Sequence, residues 1–268
     1  MRVSVPASGK RLKLSHRRQS RHCPVRRARD HIIPRRLCCK RVESARRPAR
    51  EDVAARLCRR RMQRVRQAGR PAALIVPESQ VRLKNVGINP LRTGILECVR
   101  EMGGEVTLLD MRDVSGEPVA DIAVAASALR GIDVPAARAP SMIDEYPILA
   151  VAAACASGDT VFKGVGELRV KESDRLSAIS AGLGACGVVV TEANDSLTIH
   201  GTGRSPKGGG VISAHSDHRI AMSFLVLGMV SEQPVTVDDC AMITTSFPGF
   251  VSLMNGAGAQ FEENSIRA

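Results

Sequence analysis

Two segments of the chain are apolar at almost every position. They are Pro147–Ala156 (PILAVAAACA) and Ile220–Val230 (IAMSFLVLGMV). A helix without a polar face must be enclosed by other elements, since it would otherwise expose its apolar side chains to water. Both segments are therefore predicted to be helices in the centre of the fold.

Three other stretches share one pattern, in which a helical segment ends at glycine and a strand-like segment follows at once. The helical segments are Thr93–Met102, Ser173–Cys186 and Pro248–Ala257. Glycine ends a helix because it adopts the left-handed conformation without strain. The repetition predicts an α/β fold of three repeated βα units whose sheets lie around the buried helices.

Shorter runs between these units predict further strands. A hairpin is indicated where Val188–Thr191 and Ser196–His200 flank the turn-forming residues Asn194 and Asp195. β-branched residues favour strands because they pack well on a pleated surface. Further short strands are predicted at 160–165, 211–215 and 234–237.

Charge is divided unevenly along the chain. Residues 1–70 contain 24 Lys and Arg but four acidic residues, so the rest carries a net charge of −8 although the whole chain carries +12. The basic part has no hydrophobic period and no aromatic residue, so it cannot bury enough apolar surface to offset the entropy of ordering. We therefore predict a disordered basic segment at 1–72 and a folded domain at 73–266.

Three interpretations of the basic segment compete. It could be a nucleic-acid-binding arm, an organelle transit peptide, or an out-of-frame translation of a GC-rich gene. Its Arg, Pro, Ala and Cys content favours the last, and without aromatic residues for stacking we expect no specific nucleic-acid binding, only nonspecific attraction. No run of 18 apolar residues is present, so no membrane-spanning helix is predicted.

The segment Arg169–Leu176 (RVKESDRL) places acids and bases directly before a predicted helix. Ser173 is expected to be the N-cap, and Asp174 suits the first turn. Lys171 supplies a mobile point charge, and Arg175 a planar fork that matches phosphate or carboxylate. An anion site is one interpretation of this pattern, and a solvated helix start with local ion pairs is the other.

A second charged segment, Ser216–Met222 (SDHRIAM), precedes one of the buried helices. Asp217 is expected to cap that helix. Arg219 would stand at its entrance, where a cation needs a bound anion or a buried carboxylate partner. His218 by itself is more often a structural residue. Asp144 precedes the other buried helix, as a cap or as a general base.

Four segments, MIDEYPILA, ELRVKESDRL, SDHRIAM and TTSFPGF, resemble in order and spacing the C-terminal half of the 5-enolpyruvylshikimate-3-phosphate (EPSP) synthases. The resemblance covers residues 74–263. The UDP-N-acetylglucosamine enolpyruvyl transferases share the fold, but lack the pairing of VKESDRL with DHRIAM, and are the first alternative. A non-enzymatic binding domain with a nucleic-acid-binding arm is the second.

The resemblance implies an enolpyruvyl transferase-like domain, one of the family's two, built of three βα units around buried helices. It implies transfer of the enolpyruvyl group of phosphoenolpyruvate (PEP) to the 5-hydroxyl of shikimate 3-phosphate, with release of phosphate. This reaction belongs to the shikimate pathway of aromatic amino-acid biosynthesis. No metal and no organic cofactor is implied. We expect a cytoplasmic monomer whose partners are these two small molecules.

The resemblance also implies roles for single residues. Asp144 would be the base for the shikimate hydroxyl, Glu172 would move the proton at the methylene carbon, and Lys171 would contact both reacting groups. Arg175 and Arg219 would clamp PEP. The substrate-binding residues would be Asp144, Lys171, Arg175, His218 and Arg219.

The chain departs from the family pattern in two respects. Thr245 stands where many members carry a lysine that contacts PEP, although some members share the lysine-free form. The Gly-Ser-Lys and Asn-Ala-Gly-Thr motifs of the family's N-terminal half do not occur in residues 1–73. We therefore expect the chain as given to bind substrates poorly and not to turn over.

Overall fold

The computed structural model describes the backbone of residues 2–4 and all of residues 71–262. Most of the predicted disordered segment, residues 1–72, lies outside the described residues. Two parts of it do not: Arg2–Ser4 form a strand, and residues 71–75 are helical. Ala72 is buried in the hydrophobic core, so the described fold includes residues on both sides of the predicted boundary.

Seven α-helices lie in the described part of the chain. They are α1 (described over residues 71–75), α2 (Gly94–Glu101), α3 (Tyr146–Ala154), α4 (Arg175–Ala185), α5 (His218–Gly228), α6 (Ile243–Ser246) and α7 (Phe250–Gly256). Short 3₁₀ turns precede several of them. These turns are Pro90–Arg92, Ala136–Ser141, Ile143–Glu145 and Gly166–Val170.

The described strands form three sheets. The strands are β1 (Arg2–Ser4), β2 (Gln80–Gly87), β3 (Glu105–Val114), β4 (Glu117–Ala125), β5 (Asp133–Val134), β6 (Ser157–Lys163), β7 (Val189–Glu192), β8 (Ser196–Thr202), β9 (Val211–Ile212), β10 (Val235–Val237) and β11 (Gln260–Glu262). The sheets have the orders β2-β4-β3, β5-β6-β8-β7 and β11-β1-β10-β9. The predicted hairpin is confirmed, with Val189 opposite His200.

The two apolar segments are the central helices, as predicted. Every residue of α3 is buried, and α5 is buried from Ile220 to Gly228. The two helices pack against each other, and α4 packs against both. Tyr146 also meets Phe162 of β6 edge-on, with ring centroids 4.9 Å apart. The core therefore fixes the first turns of these three helices relative to one another.

The three helix–glycine–strand units are also confirmed, as α2 with β3, α4 with β7, and α7 with β11. The glycine after each helix has a positive φ, +88° at Gly103, +80° at Gly187 and +103° at Gly258. Strands β1, β2, β4 and β5 were not predicted from the sequence. Bulges interrupt the pairing of β4 with both neighbours, so alternation of polar and apolar residues is lost there.

Candidate active site

The first turns of α4 and α5 and the 3₁₀ turn before α3 meet at one edge of the core. Because α3, α4 and α5 pack against one another, three charged segments far apart in sequence lie side by side. Arg175 and Arg219 contact Asp144, and Arg175 also contacts Glu172. The structure thus brings together the residues that the sequence analysis singled out.

Arg175 is the centre of this cluster, and its side chain has no solvent-exposed surface. Its Nε donates to Asp217 Oδ2 at 2.7 Å, its Nη1 to Asp144 Oδ1 at 3.0 Å, and its Nη2 to Glu172. Burial alone would lower the pKa of Arg175, but the hydrogen bond and charge of Asp217 and the other carboxylates raise it above its ordinary value. A buried guanidinium is stable only with such partners.

Asp217 joins the cap of α5 to Arg175. Its Oδ1 accepts from the backbone N–H of Arg219 at 2.8 Å, which confirms the predicted N-cap. The side chain is fully buried, and Ser173 Oγ also donates to it at 3.2 Å. Burial raises the pKa of Asp217, but Arg175 and the backbone N–H of Arg219 outweigh burial and lower it overall. The ion pair with Arg175 was not predicted, because it joins residues 42 positions apart.

Asp144 bridges the two arginines. Its Oδ1 accepts from Arg175, and its Oδ2 accepts from Arg219 Nη2 at 2.9 Å. Arg219 Nη1 also donates to the Asp144 carbonyl at 3.0 Å. Burial raises the pKa of Asp144, but Arg219, Arg175 and Lys171 lower it overall, so the group is a carboxylate at neutral pH. The carboxylate partner expected for Arg219 is therefore Asp144.

The loop before α4 differs from its prediction in one detail. Asp174, not Ser173, is the N-cap, and its side chain accepts from Ser177 N at 3.0 Å. The Ser173 side chain is directed instead to Asp217, to which its hydroxyl donates at 3.2 Å. Glu172 is half-exposed beside Arg175, and Lys171 pairs with Glu167 one turn back.

Arg169 fixes this loop against the β7–β8 hairpin. Its Nε donates to Asn194 O at 3.1 Å, and its Nη2 to Glu192 and to Ala193 O. Its Nη1 donates to Asp174 at 3.2 Å. No role for Arg169 was predicted, since its hairpin partners are more than 20 residues away in sequence.

His218 occupies the first position of α5, and its Nε2 is a buried atom without a hydrogen-bond partner among the described residues. Burial is the main cause that lowers the pKa of His218, and the charge of Arg219 adds to it. The imidazole is therefore neutral at pH 7.

Thr245 lies on α6, where its hydroxyl donates to Met242 O at 2.8 Å.

Two cavities adjoin the cluster. One, of about 540 Å³, is lined by Glu172, Ser177 and His215, and the other, of about 260 Å³, by Asp144, Asn89 and Arg92. Within the described residues no group of three or more His, Cys, Asp and Glu side chains could hold a metal ion. Guanidinium groups next to carboxylates are suited to binding phosphate or carboxylate and to moving a proton.

The fold is that of an enolpyruvyl transferase domain. The enolpyruvyl transferase NikO from Streptomyces tendae matches 75% of this chain and 43% of its own length with a TM-score of 0.58, at 18% identity, which supports the fold alone. The structure of EPSP synthase from Acinetobacter baumannii matches 74% of this chain and 46% of its own, with a TM-score of 0.71 and 40% identity.

A sequence model of the family described as EPSP synthase (3-phosphoshikimate 1-carboxyvinyltransferase) matches residues 70–254. The chain belongs to this family. It is 62% identical over 189 residues to the 3-phosphoshikimate 1-carboxyvinyltransferase of Paramagnetospirillum magneticum, and 63% identical over 188 residues to that of Rhodospirillum rubrum. These matches cover 70% of this chain but 42% of each relative, so the chain spans less than half their length.

Proposed function

We propose that the chain forms one wall of an active site that transfers the enolpyruvyl group of PEP to the 5-hydroxyl of shikimate 3-phosphate. The observation that carries this proposal is the bridge in which Arg175 and Arg219 both contact Asp144 within 3.0 Å. Addition of a hydroxyl to PEP needs cations for the phosphate and carboxylate, with a base beside them. The bridge has both.

Each residue of the cluster has a role in this reaction. Arg175 and Arg219 bind PEP, and Asp144 binds the 5-hydroxyl and accepts its proton. Lys171 contacts both reacting groups, and Glu172 carries the proton at the methylene carbon. Neutral His218 contacts PEP as a hydrogen-bond donor or acceptor, which its unpartnered Nε2 supports.

The alternative acceptor, a UDP-N-acetylglucosamine-like molecule, is disfavoured by the relatives. At 62% and 63% identity both are named for the shikimate reaction. When the affinity for PEP is measured with each acceptor added in turn, we expect shikimate 3-phosphate, not UDP-N-acetylglucosamine, to increase it.

The setting we propose is a monomer in the cytoplasm. Among the described helices none is long and apolar enough to cross a membrane. The partners are the two small substrates, and the basic segment binds nucleic acid only nonspecifically. Size-exclusion chromatography with light scattering measures the oligomeric state.

The activity is tested by complementation, because the chain spans 42% of its relatives. The full chain is mixed with the part of the Rhodospirillum rubrum relative that it does not match, and phosphate release is measured. We expect release only when both pieces and both substrates are present.

Two variants localise that activity. Arg219→Gln should abolish phosphate release, since it removes the guanidinium that contacts Asp144. Arg130→Gln is the matched control, because the Arg130 side chain donates to a helix-end carbonyl, Glu101 O, away from the cluster, and the variant should leave the rate unchanged. Wild-type rates in the Arg219 variant would contradict the proposal.

A further inference from the structure

The carboxylates around Arg175 and Arg219 differ in how firmly they are held. Asp217 has no exposed side-chain surface, caps α5 and accepts from Ser173, so it cannot move without disrupting the helix start. The side chains of Asp144 and Glu172 are 44% and 52% exposed. Arg175 therefore has one fixed partner on the core side and two exchangeable partners on the solvent side.

The exchangeable carboxylates use the donors that a substrate anion needs. Each of the three nitrogens of Arg175 donates to a carboxylate, two of them to Asp144 and Glu172. Arg219 donates to the Asp144 carboxylate through Nη2, and its Nη1 donates to the Asp144 backbone carbonyl. A phosphate or carboxylate binds guanidinium in the same forked geometry as these side chains. An incoming anion and the two carboxylates thus compete for the same donors.

The same contacts restrict Asp144 as a base. Both of its carboxylate oxygens accept from guanidinium groups, and those cations lower its pKa. A base with a lowered pKa and engaged lone pairs accepts a hydroxyl proton poorly.

We propose that Asp144 and Glu172 are internal competitors for the anion site of Arg175 and Arg219, and that a bound phosphate or carboxylate displaces them. Displacement frees the Asp144 carboxylate for the acceptor hydroxyl. Anion binding and release of the base are then coupled, and by linkage each favours the other. The inference rests on the proposed function and adds to it a reason why the base becomes effective only when the anion is in place.

The test is the affinity of the full chain for inorganic phosphate, measured by calorimetry in Asp144→Asn and Glu172→Gln. Removing a competitor should strengthen phosphate binding, by about fivefold or more for Asp144→Asn, since coupling energies of this kind correspond to factors of 5 and above. Glu172→Gln should also strengthen phosphate binding, but by a smaller factor, because Glu172 contacts one arginine and Asp144 contacts two.

Asp110→Asn is the matched control. Asp110 lies on β3, where it is exposed and paired with Arg82 of β2 in the same sheet, and its φ of +48° is one that Asn tolerates. The Asp110→Asn substitution removes the same charge as Asp144→Asn and Glu172→Gln. Any background binding of phosphate to the basic segment therefore changes equally in all three variants. Its phosphate affinity should equal that of the wild type.

The outcomes separate the inference from the function on which it rests. If the wild type binds phosphate and Asp144→Asn and Glu172→Gln bind it equally or more weakly, the carboxylates orient the guanidinium groups and the inference is wrong, while the proposed anion site stands. If neither the wild type nor either variant binds phosphate above the background of an Arg219→Gln chain, the anion site and the inference fail together. Circular dichroism verifies that each variant is folded.

Discussion

At the scale of single residues, the site depends on one buried ion pair. Arg175 and Asp217 have no exposed side-chain surface, and 2.7 Å separates Nε from Oδ2. A buried pair adds little net stability over an apolar pair, but removing one partner leaves a buried charge without compensation. Asp217 is therefore the residue on which the position of Arg175 depends most.

We predict that Asp217→Asn lowers the free energy of unfolding at pH 7 by roughly 3 kcal/mol, because Arg175 loses its fixed counter-charge. Asn is as good an N-cap as Asp, so the variant isolates the ion pair from the cap. Urea unfolding of the full chain measures the difference.

The pH dependence of that difference is a second readout. The pKa of Asp217 is lowered below its ordinary value of 3.8, mainly by Arg175 acting against burial. The stability that it contributes is therefore present above 3.8 and is lost as the pH falls further, through the pKa of the folded state. The difference in free energy of unfolding between the wild type and Asp217→Asn should shrink only below about pH 4. Asp159→Asn is the control, since it affects an exposed pair with His200. It should lower the free energy of unfolding by less than about 1 kcal/mol.

At the scale of elements, the packing of α4 on α5 sets the geometry of the site. Gly182 of α4 faces the ring of Phe224 on α5, and a Cβ added at Gly182 would lie 2.3 Å from Cζ of that ring. A Cβ at Gly184, on the same helix, would meet no atom within 4 Å. The absence of a side chain at Gly182 therefore allows α4 to pack closely against α5.

We predict opposite effects for the two glycines. Gly184→Ala should stabilise the chain by up to about 1 kcal/mol, because alanine favours the helix. Gly182→Ala gains the same helix preference but must displace a buried ring, and overpacking typically costs about 1–3 kcal/mol, so it should destabilise. Thermal unfolding of both variants gives the signs, and stabilisation by Gly182→Ala would contradict this packing.

At the scale of the whole molecule, one sheet joins the two ends of the chain. Strand β1 lies between β10 and β11, with Val3 opposite both Val235 and Phe261. The sheet therefore depends on residues that the sequence analysis assigned to a disordered segment. Composition does not distinguish residues 2–4 from the rest of that segment. The pairing of β1 is made by backbone groups, which every residue has, so composition does not reveal it.

We predict that Val3→Pro destabilises the chain, because proline removes a backbone donor from a strand that is paired on both sides. Losing one backbone hydrogen bond costs about 0.5–1.5 kcal/mol. Val3→Thr is the control, since it keeps the N–H group and the β-branched shape. Equal urea midpoints for the two variants would show that β1 does not support the sheet.

The sequence by itself determined the repeated units, the two enclosed helices and the identity of the charged residues. These follow from local rules, since periodicity, glycine and capping act within a few positions. Tertiary structure decided the rest: that Asp217 pairs with Arg175, that Asp144 bridges two arginines, and that the Ser173 hydroxyl donates to Asp217. These contacts join segments of three helices, and only the packing of α3, α4 and α5 brings those segments within hydrogen-bond distance.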